Sequence, residues 1–102
     1  MTAINNDTDT GNIICLIKPQ FEAKREQVGK KGIVKAPAVH REVIKKVIGY
    51  GRENGLNAYG LTFSPLKGAK GNIEYLLALR KSEGEMPDIV EIVKEAHEQL
   101  KK

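Results

Sequence analysis

Two residues could share proton chemistry if the fold brings them together: Lys18, which ends an apolar run over 12–18, and Glu74, near the head of a second run over 73–80. A positioned lysine can hold or take a proton, and a carboxylate can orient it. Cations gather around the same two places. Lys24, Arg25, Lys30, Lys31 and Lys35 follow Lys18, and Lys67 and Lys70 precede Glu74. Such a cluster suits a phosphate backbone, each contact adding affinity that falls with salt. A solvated loop with incidental lysines is the plainer alternative. The other reactive residue types lead nowhere. Cys15 is the one cysteine, and it sits mid-run in apolar company with nothing beside it to lower its pKa. His40 and His97 lack partners at metal-ligand spacing, so no metal site is expected. The phosphate-loop pattern G-x-x-x-x-G-K-[ST] is absent, and the glycines at 49, 51 and 55 miss G-x-G-x-x-G. Phe21, Tyr59, Phe63 and Tyr75 could offer stacking faces to bases, but with only two Phe and three Tyr most of these rings are expected in the core.

The elements that would position these residues can be read from periodicity. Residues 12–18 (N-I-I-C-L-I-K) form a continuous β-branched and apolar run, the pattern of a strand covered on both faces. Residues 1–11 are rich in Asn, Asp, Thr and Gly and read as a flexible N-terminal tail. Residues 19–37 carry charges and glycines without periodicity, a basic loop too long for an ordinary connection. Val39, Val43, Ile44, Val47 and Ile48 then make a helical stripe, opened by Pro37 and closed by Asn54-Gly55. Two further strands, 56–64 and 73–80, flank the turn-forming segment 65–72. A last helix opens at Pro87, with Ile89, Ile92, Val93, Ala96 and Leu100 on one face.

The first strand, the helix and the second strand form a βαβ unit, so those strands should run parallel and the third should return. Ligands bind beyond the carboxyl ends of such parallel strands. That edge would collect Lys18, the basic loop, the 64–72 turn and Glu74.

Length and composition bound the rest. One hundred and two residues allow one small domain at most, and 40% hydrophobic with 29% charged residues is an ordinary globular composition. A lone cysteine excludes a disulfide framework and points to a reducing, cytoplasmic setting. The longest apolar run, 13–17, is far short of the ~20 residues a membrane helix needs, and the polar N-terminus has no secretory pattern. The net charge of +4 has one source. Six cations and two anions lie between Lys18 and Lys35, and elsewhere eleven of each sign cancel.

Two segments carry a family resemblance: I-C-L-I-K-P-Q-F-E-A-K-R-E-Q-V-G-K-K-G-I over 14–33 and G-L-T-F-S-P-L-K-G-A-K-G-N-I-E-Y over 60–75. Together they resemble the C-terminal part of the hemolysin A-like branch of the FtsJ-type ribosomal RNA 2′-O-methyltransferases, across about 12–100. The resemblance implies an α/β chain that is the C-terminal part of a Rossmann-like, S-adenosylmethionine-dependent methyltransferase fold, here a three-stranded mixed sheet with two helices over 12–102. It also implies a Lys-Asp-Lys-Glu catalytic set, in which Lys18 matches the second lysine and Glu74 the glutamate. Lys18 would then help remove the proton of a ribose 2′-hydroxyl while Glu74 orients it. A lysine serves as a base only where desolvation or neighbouring cations disfavour its charge.

The family's first lysine, its aspartate, its glycine-rich loop and its ribose-binding acidic residue have no counterpart in this sequence. The expectation is therefore a fragment that is inactive alone and binds no S-adenosylmethionine, although the complete parent would bind it. Its expected partner is ribosomal RNA or a ribosomal subunit, without a membrane. The RNA-facing residues would be Lys24, Arg25, Lys30, Lys31, Lys35, Lys67 and Lys70. The alternatives are a stand-alone RNA-binding module and, lowest, a cytolysin, which the lack of a basic amphipath disfavours. Missing upstream strands would leave an edge of the 12–18 strand open to self-association.

Overall fold

The computed structural model describes residues 2–7 and 12–100. A four-stranded sheet, β1 (Thr2–Asp7), β2 (Asn12–Ile17), β3 (Asn57–Phe63) and β4 (Tyr75–Arg80), has the order β1-β2-β4-β3. Three helices accompany it: a one-turn α1 (Pro19–Glu22), the long α2 (Pro37–Glu53) and α3 (Ile89–Gln99).

The periodicity finds its physical counterpart in α2. Pro37 supplies its first turn, and beyond Glu53 the chain turns at Gly55 with a φ of +75°. The stripe of Val43, Ile44, Val47 and Ile48 is buried against the sheet. Each such side chain contributes about 2 kcal/mol when fully buried. Asp88 caps α3, its carboxylate accepting from the Glu91 amide at 3.1 Å. Val93 and Ala96 of α3 join the same core as Cys15, Ile17, Leu77 and Leu79.

The sheet departs from the expected mixed pairing. Strands β2 and β3 do run parallel to each other, but β4 lies between them, so every neighbouring pair is antiparallel. The short 64–74 link lets β4 fold back into the gap that a direct β2–β3 pairing would have filled. The expected double cover of β2 is also corrected. Cys15 and Ile17 are buried, whereas Ile14 and Leu16 on the opposite face are half-buried, as are Leu76 and Ala78 beside them. Helices α2 and α3 share one side of the sheet and one core, and that side accounts for the buried strand residues.

Of the tail expected over 1–11, residues 1 and 8–11 lie outside the described residues. Thr2–Asp7 is strand β1 instead, antiparallel to β2, with Ala3 opposite Cys15 and Asp7 opposite Asn12. The edge of β2 that was expected to lie open is therefore paired. Backbone hydrogen bonding on an unpaired edge outweighs the poor strand propensity of Asn and Asp.

Candidate functional site

The register of the central strands brings the two candidate residues together. Ile17 pairs with Tyr75 in the antiparallel β2–β4 ladder, so Lys18, which follows β2, and Glu74, which precedes β4, flank the same end of the sheet. Lys18 is the residue before α1, with Pro19 in the first turn, and its ammonium lies 5.7 Å from the centroid of the Phe21 ring. Glu74 is 9% exposed, and its Oε2 accepts from Gln20 Nε2 at 3.1 Å. A Cβ at Gly68 would run into the Glu74 carboxylate, so a larger residue there would have to push that side chain aside as the 65–72 turn closes over it. Backbone bonds tie the turn down as well: the Ser64 amide donates to the Glu74 carbonyl at 2.8 Å and the Gly68 amide to the Asn72 carbonyl at 2.7 Å.

Asn72 is the clamp between this turn and the basic loop. Its buried carboxamide accepts from the Val34 amide at 3.0 Å and donates to the carbonyls of Gly32 and Ala69, each at 2.9 Å. The next residue in the loop to be held is again Val34, whose carbonyl accepts from His40 Nε2 at 2.8 Å. Since a carbonyl only accepts, Nε2 carries the proton, and His40 Nδ1 accepts from the Tyr75 hydroxyl at 2.8 Å. Burial lowers the His40 pKa from 6.5 to about 4, the Val34 bond working against this and the neighbouring His97 with it. Burial likewise pushes the Tyr75 phenol upward.

The loop itself is less irregular than its sequence suggests. Beyond α1 it holds a 3-10 turn at Arg25–Gln27 and a tight turn at Gly32, φ +75°. Lys24, Arg25, Lys30, Lys31 and Lys35 are all exposed, and Lys30, Lys31 and Lys35 line one concavity with Gly29 and Ile33. Lys70 joins this group, its side chain lying close against Gly32. Lys67 is exposed on the turn. Lys24 borders a second concavity with Lys45 and Lys46 of α2, which Glu22 and Glu42 line as well.

Sequence reasoning did not single out Lys45 and Lys46, because on the helical wheel they occupy the solvent face, where lysine is unremarkable. It also missed Gln20, Gly68 and Asn72, whose roles depend on contacts made across the sheet end. Of the aromatic candidates, Tyr75 is core, Phe63 packs against the core and Tyr59 stacks on Arg80 at 4.4 Å. Phe21 alone of the four is widely exposed, at 73%. Cys15 is buried, and burial raises its pKa, as expected for an inert thiol. No cluster among the described residues could hold a metal ion, and no described helix is long and apolar enough to cross a membrane.

Comparison with known proteins gives this geometry its context. A family model described as FtsJ-like methyltransferase matches residues 1–81. The chain is 50% identical over 95 residues to "Putative rRNA methyltransferase YqxC" of Bacillus subtilis, covering 86% of this chain and 34% of that protein. It is 41% identical over 69 residues to the 16S/23S rRNA (cytidine-2′-O)-methyltransferase TlyA of Mycobacterium tuberculosis, covering 68% of this chain and 26% of that one. A solved structure titled "Putative hemolysin from Streptococcus thermophilus" superposes with a TM-score of 0.81 at 41% identity, over 90% of this chain and 34% of that chain. The chain thus spans about a third or less of the length of these relatives. With the family model lying over most of the sequence and both halves of the Lys18–Glu74 sheet end inside it, the chain belongs to the FtsJ-like methyltransferase family, as a homologue of the TlyA and hemolysin A-like rRNA 2′-O-methyltransferases.

Proposed function

We propose that this chain carries the ribose-facing edge of an rRNA 2′-O-methyltransferase and has no activity alone. The observation that supports this most is the meeting of Lys18 and Glu74 at one sheet end, beside a loop that holds the chain's whole excess of positive charge. In this reading the exposed lysines hold the RNA backbone through its phosphates. Lys18 holds or withdraws the proton of the 2′-hydroxyl, and Glu74 fixes the lysine's position. Fixed placement of such a proton-handling group is worth ~10² to 10⁴ in rate.

The family uses S-adenosylmethionine as methyl donor. The residues described here do not fit that cofactor. Strand β2 leads straight into Pro19 and α1, with no glycine-rich turn, and β3 ends at Phe63-Ser64 with no carboxylate to hold a ribose. No step is therefore assigned to it on this chain, and the chain's contribution is to the RNA side of the reaction.

Two measurements test the proposal. Lys18→Ala in a full-length parent should reduce methyl transfer at least a hundredfold, and undiminished transfer would sink the assignment. Calorimetry of the 102-residue chain with S-adenosylmethionine should give no binding heat, and clear binding would contradict the division of labour. A stand-alone RNA-binding module is the second reading, favoured by the exposed lysine concavities. Lys18→Ala in the full-length parent distinguishes the two, because a segment that only binds RNA would leave methyl transfer undiminished. The cytolysin reading rests only on the hemolysin names that relatives carry.

A further inference from the structure

Five large apolar side chains stand exposed among the described residues: Phe21, Tyr50, Leu66, Met86 and Val90. Three of them are scattered. Tyr50 lies near the end of α2, Met86 precedes α3 and Val90 sits in the first turn of α3. The two most exposed, Phe21 at 73% and Leu66 at 78%, belong instead to the two segments that meet at Glu74. Phe21 follows Gln20, which donates to the Glu74 carboxylate, and Leu66 lies in the turn that Ser64 and Gly68 hold against the same residue. One exposed apolar residue is ordinary, but two on the segments around the Lys18–Glu74 end make a candidate contact surface.

The surroundings say what kind of partner would cover them. The Lys18 ammonium lies 5.7 Å from the Phe21 ring centroid, within reach of the attraction between a cation and an aromatic face. Lys24 and Arg25 follow Phe21 closely in the chain, Lys67 stands next to Leu66, and all three are exposed. An apolar protein segment laid over Phe21 would have to take water from these cations without giving them counter-charge, which is costly. A nucleic-acid strand supplies both partners at once, because every nucleotide carries a flat base and an anionic phosphate. Aromatic faces interleaved with cations hold single strands in this way, largely without regard to sequence. Glu22 and Glu26 temper the charge between Lys18 and Lys35, so the ring offers a hold that the cations there would not supply by themselves.

We propose that the Phe21 ring is a stacking platform for a nucleobase of the bound RNA, with Leu66 as a second apolar contact from the 65–72 turn. This inference rests on the proposed function, which supplies RNA as the ligand. It adds a hold on the base to the hold on the phosphates, and it is separate from proton transfer. Because the ring lies close to the Lys18 ammonium, a base stacked there brings the sugar chain of the strand to Lys18. Stacking involves no phosphate, so it leaves the salt dependence of binding as it is.

The test titrates the 102-residue chain into a fluorescein-labelled single-stranded RNA, with anisotropy as the readout. Phe21→Ala should bind about five- to a hundredfold more weakly, the size of one lost base–aromatic stack. Its logarithmic salt slope should change by less than one phosphate contact, about 0.7. Phe21→Tyr, which keeps the ring, should bind as the unsubstituted chain does, whereas Phe21→Leu, apolar but without a ring face, should weaken with Phe21→Ala. A second measurement needs no variant. The sequence holds only two Phe, so the Phe21 ring resonances are open to assignment, and they should move upfield with RNA and stay nearly in place with inorganic polyphosphate, a polyanion without bases. Unchanged affinity in Phe21→Ala, full affinity in Phe21→Leu, or ring shifts of equal size with polyphosphate overturns the inference and leaves the proposed function standing. Absence of any salt-dependent RNA binding by the unsubstituted chain overturns both.

Discussion

His40 fastens the basic loop to the sheet by two hydrogen bonds whose directions chemistry fixes, and this makes a single residue sensitive to pH. It must be neutral to accept from Tyr75 while donating to Val34. In the folded chain it stays neutral down to about pH 4, whereas once unfolded it takes a proton near its ordinary 6.5. Between those values the unfolded chain binds more protons, so stability rises with pH across the window. The contribution is fully present above about pH 6.5, declines as pH falls and is gone below about 4. It amounts to roughly 3 kcal/mol in all. His97, packed 4.7 Å from the His40 ring, adds to the cost of charging it. Urea unfolding at pH 7, 5.5 and 4.5 should show this decline. His40→Gln, less stable throughout, should show a clearly flatter dependence over the same range. Equal slopes in the two proteins would mean that carboxylates carry the effect instead.

The elements were legible where burial imposes a period and illegible where it does not. The α2 stripe, its Pro37 start and the strand at 73–80 are all written in apolar spacing, and with them the meeting of Lys18 and Glu74. The insertion of β4 between β2 and β3 was not, because an apolar run states that a strand is buried but not which strand is its neighbour. The open sheet face was misread for the same reason: Ile14 and Leu16 look in sequence like Cys15 and Ile17. Gln20, Gly68 and Asn72 escaped notice because their roles arise only when α1, the turn and the loop close on one another. Strand β1 was hidden by residues that prefer turns, yet it covers the edge of β2 by backbone pairing. Deleting residues 2–7 should therefore return that edge to solvent, and an unpaired strand edge invites pairing with another chain. Light scattering should find the shortened chain more strongly associated than the intact one at equal concentration. An unchanged molecular mass would show that β1 gives the edge no protection.

At the scale of the whole molecule the relevant property is where the charge lies rather than how much there is. The chain carries +4 in all, and the segment between Lys18 and Lys35 accounts for every unit of it. The fold keeps this segment at the Lys18–Glu74 end through Asn72 and His40, and it brings Lys70 against the loop while Lys45 and Lys46 extend the basic surface along α2. At the far end of β4, Lys81 follows Arg80, and Arg52 lies at the end of α2, lining a concavity with Asn57 and Glu83. The two ends can therefore be compared within one protein. Each phosphate contact to single-stranded RNA steepens the logarithmic salt dependence of affinity by about 0.7. Replacing Lys24, Arg25, Lys30 and Lys31 together by Ser should then reduce that slope by up to about 3. Replacing Arg52 and Lys81 by Ser should leave the slope nearly as it was, although it also lowers the net charge. A slope that tracks net charge alone, falling in both variants in proportion to the cations removed, would mean that RNA meets the molecule without regard to its orientation. The Lys18–Glu74 end would then have no claim to be the face that RNA approaches.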